Sequence, residues 1–378
     1  MKKQRILIIG DDFCLEAGGI QNTNYLLAQY MLPYMEVNTF CPADGNAMNI
    51  EGIRSFKCKY AFKPLKKRLL YLINSISIIA KIHSENKIDF ILSTHYAPCF
   101  CAVFLRLFYG IPYGVLTHGN EVYSKWPAMS LKRRIIWFVF DSVKRQIVLK
   151  YANQIYANTF FTKSLVEKIT SNKNITIINP PIGLLPNDED VNTDNHYLLS
   201  LGRLVERKGY QNLIKALPIV LSKYPNLKYV IAGSGPYEKE LRKLVDVLNL
   251  KESVIFKGRV SENDKVELLK NCSVFVLPSY EIPEQQSVEG FGLSLLEANV
   301  YGKFVISTMS GGIPEAVDDG RTGILVPEGS ITELGNAIIL FLSPEFNYDQ
   351  IYCKEWAKRC HITNIVNLYY SSISKLIK

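Results

Sequence analysis

The amino-acid sequence predicts an α/β protein with two domains, each built on a doubly wound parallel sheet. A chain of 378 residues is too long for one ordinary hydrophobic core, so about two domains are expected. Short apolar runs alternate with longer helical patterns along the chain. These runs are continuously apolar, which is typical of strands that are buried on both faces of a parallel sheet.

The first domain is predicted to comprise residues 1–182. Its predicted strands are residues 5–9, 36–40, 90–93, 114–117, 154–157 and 175–178. Its predicted helices are residues 21–31, 70–83, 101–108, 131–151 and 162–169. Pro180, Pro181 and Gly183 end this pattern, and the polar, acidic stretch 186–195 is predicted to link the two domains.

The second domain is predicted to comprise residues 183–352, with the same alternation. Its predicted strands are residues 197–202, 228–232, 254–257, 274–278, 304–307 and 323–326. Its predicted helices are residues 210–224, 237–248, 263–271, one that begins near Leu293, and one that begins at Ile331. Residues 353–378 are amphipathic and aromatic, and they are predicted to form a C-terminal helix.

The composition is that of a globular protein, with 48% hydrophobic and 21% charged residues. The net charge of +9 is unevenly distributed. Residues 1–182 hold 23 Lys and Arg against 11 Asp and Glu, whereas the remaining residues hold 21 against 24. This asymmetry predicts that the first half meets an acidic surface, for which nucleic acid and anionic lipid are both candidates.

The cysteine pattern and the lengths of the apolar runs indicate the cellular compartment of the protein. The eight cysteines contain no C-x-x-C pair, which argues against a structural zinc site. The apolar run near the N-terminus is short and is followed by Asp11 and Asp12, unlike a signal peptide. No apolar stretch reaches the roughly 18 residues that span a bilayer. We therefore expect a cytoplasmic protein with reduced thiols.

Two glutamates eight positions apart, Glu289 and Glu297, form the most informative motif. A helix that begins near Leu293 would place Glu289 just before its N-terminus and Glu297 about one turn inside. Backbone N–H groups beside Gly290 and Gly292 would then point between the two acids, as in diphosphate sites at helix N-termini. One carboxylate can hold sugar hydroxyls and the other a ribose diol. On this segment alone, a capped helix with two solvated acids remains an alternative.

A second motif begins at a predicted strand end, where Gly202 is followed by Arg203 and, five residues later, by Lys208. The planar donor fork of arginine and the compact ammonium of lysine both suit a diphosphate. Glu206, between them, is expected to orient Lys208. A charged surface turn is the alternative reading of this stretch.

Further glycines follow other predicted strands or open a helix. Gly233 and Gly235 form a turn that is weakly specific by itself. Gly18 and Gly19 open the first long helix, where the backbone can approach a phosphate. The dinucleotide fingerprint is absent after the first strand, because Gly10 is followed by Asp-Asp-Phe-Cys. This argues against a nicotinamide-dependent oxidoreductase.

His118 is the best placed of the five histidines, since it directly follows a predicted strand end. A structural histidine is the alternative interpretation. His95, Tyr96 and Glu121 lie in comparable loops and are candidates for an acceptor pocket.

These motifs together resemble those of the retaining family 4 glycosyltransferases, which have the GT-B fold. The segment from Glu289 to Glu297 resembles their E-x7-E motif, and Ser200 to Gly209 resembles their phosphate-binding stretch. Residues 310–323 look like their G-G-x-x-E turn and D-G-x-x-G hairpin. The resemblance implies two Rossmann-like domains facing a central cleft, with residues 353–378 packing back on the first domain.

The resemblance also implies roles for individual residues. The catalytic residues would be His118, Arg203, Lys208 and Glu289. The donor nucleotide sugar would be bound by Gly18, Gly19, Gly202, Gly233, Gly235, Lys257, Gly258, Arg259, Val260, Gly290, Phe291, Gly292, Leu293 and Glu297. Because side chains and helix N–H groups would neutralise the diphosphate, no metal or other cofactor is expected. Retention by front-face attack is the implied stereochemical course.

The expected function is transfer of a hexose or N-acetylhexosamine from a nucleotide-diphosphate sugar to a lipid-linked or polysaccharide acceptor of a bacterial surface glycan, such as O-antigen, capsule or lipopolysaccharide. A UDP donor is expected only because such donors are common. Residues 63–71 and 131–140 mix cations with bulky apolar residues, which favours an anionic inner-membrane surface over nucleic acid. A nucleotide-sugar 2-epimerase of the same fold and a non-catalytic nucleotide-sugar binding protein are the alternatives.

Overall fold

The computed structural model describes residues 3–13, 19–61, 67–95, 98–122, 142–183 and 197–377. These residues form two compact units. The first comprises the described residues up to Gly183 together with those from Ile362 onward, and the second comprises residues 197–361. None of the described helices is both long enough and apolar enough to cross a membrane.

The first unit contains a seven-stranded, entirely parallel sheet. Its strands are β1 (Arg5–Ile9), β2 (Glu36–Cys41), β3 (Arg54–Lys57), β4 (Phe90–Ser93), β5 (Tyr113–Thr117), β6 (Gln154–Ala157) and β7 (Ile175–Ile177). The order is β3-β2-β1-β4-β5-β6-β7, so the direction of winding reverses between β1 and β4. The central strands β1, β4 and β5 are completely buried, as their continuous apolar runs predicted.

In the described part of this unit, five helices connect the strands. They are α1 (Gly19–Met31), α2 (Arg68–Glu85), α3 (Phe100–Tyr109), α4 (Val143–Tyr151) and α5 (Phe160–Glu167). Right-handed crossovers place α1 on one face of the sheet and α2 and α3 on the other, because winding proceeds in opposite directions from β1. Helices α2, α3 and α4 pack side by side.

The second unit contains a six-stranded parallel sheet in the order β10-β9-β8-β11-β12-β13. Its strands are β8 (Tyr197–Leu201), β9 (Lys228–Ala232), β10 (Val254–Gly258), β11 (Val274–Leu277), β12 (Val305–Thr308) and β13 (Gly323–Val326). Its helices are α6 (Tyr210–Leu221), α7 (Glu238–Val247), α8 (Glu262–Asn271), α9 (Leu293–Val300), α10 (Ile313–Ala316), α11 (Ile331–Phe341) and α12 (Gln350–Lys358). The two doubly wound parallel sheets confirm the predicted fold class.

The C-terminal segment differs from its prediction in where it changes unit. Residues 350–358 form α12, which stays with the second unit, where the Trp356 indole donates to the Ala316 carbonyl at 2.8 Å. The chain returns to the first unit only at Ile362, the first residue of α13 (Ile362–Leu376). Helix α13 packs on α1, and the rings of Tyr34 and Tyr370 lie 4.9 Å apart. The predicted boundary at residue 353 was therefore nine residues too early.

Two further differences concern single elements. Strand β3 was not predicted, because it is a partly exposed edge strand, with the sequence Arg-Ser-Phe-Lys, that carries no apolar run. The predicted helix at 131–151 is described only from residue 142, as α4, and its earlier part lies outside the described residues. All seven described cysteines are unpaired and buried.

Candidate active site

The candidate site lies at the carboxyl edge of the second sheet, where the winding reverses between β8 and β11. Doubly wound sheets bind ligands at this point, because two neighbouring loops diverge there. The loops after β8 and β11 are joined by a hydrogen bond of 2.9 Å from the Tyr280 amide to the Arg207 carbonyl. Gly209 permits the approach: its φ is +74°, and a Cβ atom there would lie 1.8 Å from the Pro278 oxygen.

A buried glutamate and two cations meet between these loops. Glu289 is 9% exposed, and its Oε2 accepts hydrogen bonds from Lys208 Nζ at 2.8 Å and from the Arg207 guanidinium. A carboxylate at this depth needs such partners to offset its lost hydration. Two positive charges facing one negative charge leave the cluster net positive, which suits a phosphate ligand.

The charged form of Glu289 is strongly favoured. Burial by itself disfavours the carboxylate, but the charges and hydrogen bonds of Lys208 and Arg207 outweigh it and lower the pKa of Glu289 to about 2. Near neutral pH, Glu289 is therefore an acceptor of hydrogen bonds. It can hold sugar hydroxyl groups, and it has no proton to deliver.

This depressed pKa predicts a stability difference in acid. The folded-state pKa of Glu289 is about 2, below its ordinary value of 4.5, so the ionised side chain stabilises the fold above pH 4.5 and loses that contribution as the pH falls towards 2. The shift corresponds to about 3 kcal/mol. We expect Glu289→Gln to destabilise the protein most at pH 7 and clearly less at pH 3, as measured by urea unfolding at both values. An equal destabilisation at both would contradict the ion pairing.

Glu297 occupies the predicted place inside α9, which begins at Leu293 after Gly292, a residue with a φ of +96°. Its Oε1 accepts a hydrogen bond of 3.0 Å from Lys265 Nζ, and the same ammonium is 3.2 Å from Glu262. Burial opposes the charge on Lys265, but the two carboxylates prevail and raise its pKa. Lys265 therefore fixes the position of Glu297, a role that no sequence motif indicated.

The turn at Gly311 and Gly312 contacts the backbone of Glu289. The Gly312 amide donates to the Glu289 carbonyl at 2.9 Å. Gly311 has a φ of +53°, and a Cβ atom there would lie 2.3 Å from the Glu289 oxygen. The G-G-x-x-E turn thus fixes the backbone of Glu289.

We expect Gly311→Ala to destabilise the protein by more than the ~1–2 kcal/mol that a left-handed alanine costs. The added methyl group must also displace the backbone of Glu289. Gly329→Ala is the matched control, because Gly329 has a φ of +71° with open space around its Cβ position. Thermal unfolding compares the two variants. Equal losses would show that the contact with Glu289 costs nothing.

The other glycines that were predicted to bind the donor hold the ends of neighbouring strands together. Gly202 donates to the Ala232 carbonyl at 3.0 Å, and Gly233 donates to the Gly258 carbonyl at 2.7 Å. A Cβ atom at Gly233 would lie 1.9 Å from the Gly202 oxygen, and one at Gly235 would lie 2.2 Å from the Leu204 oxygen. These glycines keep the strand ends and their loops in close contact.

The remaining predicted donor residues of this unit lie at two places. Lys257 and Arg259 are exposed and Val260 is partly buried at the end of the edge strand β10. Gly290 is partly buried and Phe291 is buried in the turn before α9.

One side chain of the β8 loop, Glu206, differs from expectation. Arg203 is exposed, and the arginine that contacts Glu289 beside Lys208 is Arg207. Glu206 does not orient Lys208: its carboxylate accepts hydrogen bonds from Gln285 Nε2 at 2.9 Å and from the Tyr280 hydroxyl at 3.4 Å. Lys208 instead has the more buried Glu289 as its partner, and Glu206 joins the loops after β8 and β11.

His118 lies at the carboxyl edge of the first sheet, directly after β5. Its Nε2 is 2.8 Å from the Thr94 carbonyl, which can only accept, so Nε2 carries a proton and Nδ1 is the acceptor of the neutral ring. Burial lowers the pKa of His118, although Glu121 opposes this, and the neutral ring is favoured. The Glu121 carboxylate accepts a hydrogen bond from the His118 amide and so fixes this loop.

The other candidates of the first unit are only partly described. His95 follows Thr94, and its carbonyl accepts a hydrogen bond of 2.8 Å from the Ser93 hydroxyl. Gly19 is the first residue of α1, and its carbonyl accepts from the Thr23 hydroxyl at 2.9 Å. Gly18 and Tyr96 lie outside the described residues.

The two sheets and the phosphate-compatible cluster define a GT-B glycosyltransferase architecture. Residues 184–359 match the family model described as glycosyl transferases group 1, and residues 17–184 match that of glycosyltransferase family 4. The chain belongs to the group 1 glycosyltransferases.

Individual relatives match the chain only in part or at low sequence identity. A GDP-mannose-dependent monoacylated α-(1-6)-phosphatidylinositol monomannoside mannosyltransferase of Corynebacterium glutamicum is 30% identical over 234 residues, which cover 60% of this chain and 59% of that protein. The chain thus aligns with less than two thirds of that relative. Two solved structures share the fold. The lipopolysaccharide outer core galactosyltransferase WaaB has a TM-score of 0.71, with 18% identity and coverage of 99% and 100%. Anabaena HepE, solved with UDP and glucose, has a TM-score of 0.72, with 16% identity and coverage of 97% and 99%.

Proposed function

We propose that the protein transfers a hexosyl or N-acetylhexosaminyl group from a nucleoside-diphosphate sugar, with UDP as the first donor to test. The observation that carries this proposal is the buried Lys208–Glu289–Arg207 cluster at the winding reversal of the second sheet, just ahead of α9. Such a cluster offers a positive site for the diphosphate and an ionised acceptor for sugar hydroxyls within a single loop pair.

Bond cleavage would place new negative charge on the departing diphosphate. Lys208 and the first N–H groups of α9 are preorganised to stabilise that charge, and the exposed Arg203 can approach the phosphate from the same loop. Glu289 would hold hydroxyls of the sugar and Glu297 the ribose. Since these groups neutralise the phosphate, we propose that transfer requires no divalent metal. We propose retention of anomeric configuration on the basis of the family resemblance.

The acceptor is proposed to be a lipid-linked or polysaccharide chain of a bacterial surface glycan. In the first unit, no described residue donates a hydrogen bond to His118 Nδ1, so this atom can accept one from a hydroxyl group, which supports a role in binding the sugar or the acceptor. His95, Tyr96 and Glu121 remain candidates for acceptor binding.

The experiment is a donor panel. Purified protein is titrated with UDP, GDP and ADP by calorimetry, and each corresponding sugar nucleotide is then incubated with membrane lipid extract, with and without EDTA. We expect tight binding of one nucleotide and EDTA-resistant transfer with retained configuration. Conversion of the donor sugar without an acceptor would indicate an epimerase. Absence of binding to every nucleotide would reject the proposal.

An exposed apolar and basic surface on the first unit supports the proposal of a lipid-linked acceptor. Leu69, Ile73 and Leu107 are exposed on α2 and α3, and Phe108 is 76% exposed. Residues 67–85, 100–109 and 143–151 contain one acidic residue and seven Lys and Arg, of which Arg145 alone is buried. Exposed apolar side chains among cations suit an anionic lipid surface. Of the segments that suggested membrane binding, residues 63–66 and 131–140 lie outside the described residues.

We expect the protein to bind vesicles that contain phosphatidylglycerol, and to bind them less at high salt or on neutral phosphatidylcholine. Replacing both Ile73 and Phe108 with serine removes exposed apolar area and should weaken binding severalfold in a sedimentation assay. Leu368→Ser is the control, because Leu368 is 52% exposed on α13. Binding that persists at high salt, or that is unchanged by the double substitution, would contradict the proposed role of this surface in membrane binding.

A further inference from the structure

Both cations that hold Glu289 contact the same oxygen. Arg207 Nη1 and Lys208 Nζ each bond to Oε2, and no described residue donates a hydrogen bond to Oε1. One oxygen of the carboxylate is thus fixed by the protein, while the other is left for a ligand. A sugar hydroxyl can bond to Oε1 without breaking either ion pair.

The two cations differ in how freely they can leave Glu289. Both residues lie in one 3-10 turn, Glu206–Lys208, but only the Arg207 carbonyl is held by the Tyr280 amide, at 2.9 Å. Its guanidinium is a planar donor fork, whereas the ammonium of Lys208 is a compact charge on a flexible stem. Lys208 is also within electrostatic reach of Glu297, at the other side of the phosphate position that the E-x7-E motif implies. Lys208 can therefore turn to a diphosphate while Arg207 stays.

A bound diphosphate would act against the charge of Glu289. It adds negative charge beside the carboxylate and competes for Lys208, and both effects favour protonation of Glu289. The groups that face Glu289 are Lys208, Arg207 and the hydroxyl of Tyr210, which is buried at the start of α6. Glu297 acts on the cluster through Lys208. Arg207 is the one permanent cation in this set that a phosphate need not displace.

We propose that Arg207 is a positioning residue, which keeps Glu289 ionised and correctly oriented for the donor sugar while Lys208 turns to the diphosphate. The proposal rests on the proposed function. It assigns different roles to the two cations, although both contact the same carboxylate oxygen. Lys208 binds the leaving group, and Arg207 acts only through Glu289.

The test compares Arg207→Met, Arg207→Lys and Lys208→Met in nucleotide affinity and in the pH dependence of kcat. For Arg207→Met we expect unchanged affinity for UDP or GDP, whichever the wild type binds, and a fall in kcat of about 10- to 100-fold. Its activity should also be lost at a pH about one unit or more above that of the wild type, because Glu289 then protonates more easily. Arg207→Lys should restore the wild-type pH profile in part. Lys208→Met should instead lose nucleotide affinity.

Arg242→Met is the control, since Arg242 pairs with Glu238 on the exposed side of α7, and it should behave as the wild type. Wild-type kcat and pH profile in Arg207→Met would overturn the positioning role, as would a loss of nucleotide affinity equal to that of Lys208→Met. If Arg207→Met does not fold, the charge-retaining Arg207→Lys decides: reduced kcat with a pH profile shifted by less than about one unit supports the role, and wild-type kcat rejects it. A wild-type protein that binds no nucleotide would contradict the proposed function itself, which is a separate result.

Discussion

Replacing Lys208 with methionine is expected to reduce glycosyl transfer by about 100- to 1,000-fold, the usual effect of removing one preorganised donor from a developing oxyanion. Methionine keeps the length of the side chain and removes its charge. Nucleoside-diphosphate affinity should fall as well, because Lys208 is a main cation of the proposed phosphate site. Steady-state kinetics with the preferred donor, together with calorimetric titration of the nucleotide, measure both effects.

Lys215→Met provides the control for Lys208→Met, since Lys215 is exposed on α6, a short distance along the same chain segment. It should leave both quantities unchanged. The variant Lys208→Met also leaves Glu289 with Arg207 as its remaining cation, so its thermal stability is measured first. A folded Lys208→Met protein with wild-type kcat and nucleotide affinity would end the assignment of Lys208 to the diphosphate.

Replacing Glu297 with glutamine is expected to weaken nucleotide binding by about 10- to 100-fold, because hydrogen bonds to a charged group contribute about 1.5–3 kcal/mol. Glutamine has the same shape and can still accept the hydrogen bond from Lys265, so the packing of α9 should persist. The ribose role makes a sharper prediction. The variant and the wild type should bind 2′,3′-dideoxynucleoside diphosphate equally, since the diol that Glu297 holds is then absent.

Glu267→Gln is the control for Glu297→Gln, because Glu267 is exposed on the neighbouring helix α8 and should not affect binding. Two results would argue against the ribose role. The first is unchanged affinity of Glu297→Gln for the normal nucleotide. The second is an equal loss of affinity for the dideoxy form, which would indicate a general disturbance of the site.

The parts of the site that could be predicted from the sequence are those defined by short spacings. The eight-residue interval from Glu289 to Glu297, with its glycines, correctly predicted a helix that begins at Leu293. Continuous apolar runs likewise predicted the buried strands of both sheets, because burial on both faces of a parallel sheet leaves little choice of residue. Such patterns record constraints between residues that are close in the chain.

Contacts between residues that are far apart in the chain left no comparable pattern in the sequence. Arg207 and Glu289 are 82 positions apart, and nothing in the local sequence distinguished Arg207 from Arg203 as the partner of the buried acid. Only the turn after Gly202, which directs one arginine outward and the other towards Glu289, decides between them. Lys265 was missed for the same reason, since it reaches Glu297 from a different helix. The start of α13 escaped prediction because α12, directly before it, is amphipathic as well.

The position of α13 also constrains how the protein can be made. This helix supplies Ile365, Tyr369 and other apolar side chains to the core of the first unit, yet it follows the entire second unit in the chain. A ribosome therefore releases this part of the first core only after the whole second unit. Until then, the matching surface of α1 lacks its cover and is exposed to aggregation or chaperones. The second unit consists of contiguous residues and can finish folding earlier. The first unit, although it begins first in the chain, therefore completes its core after the second.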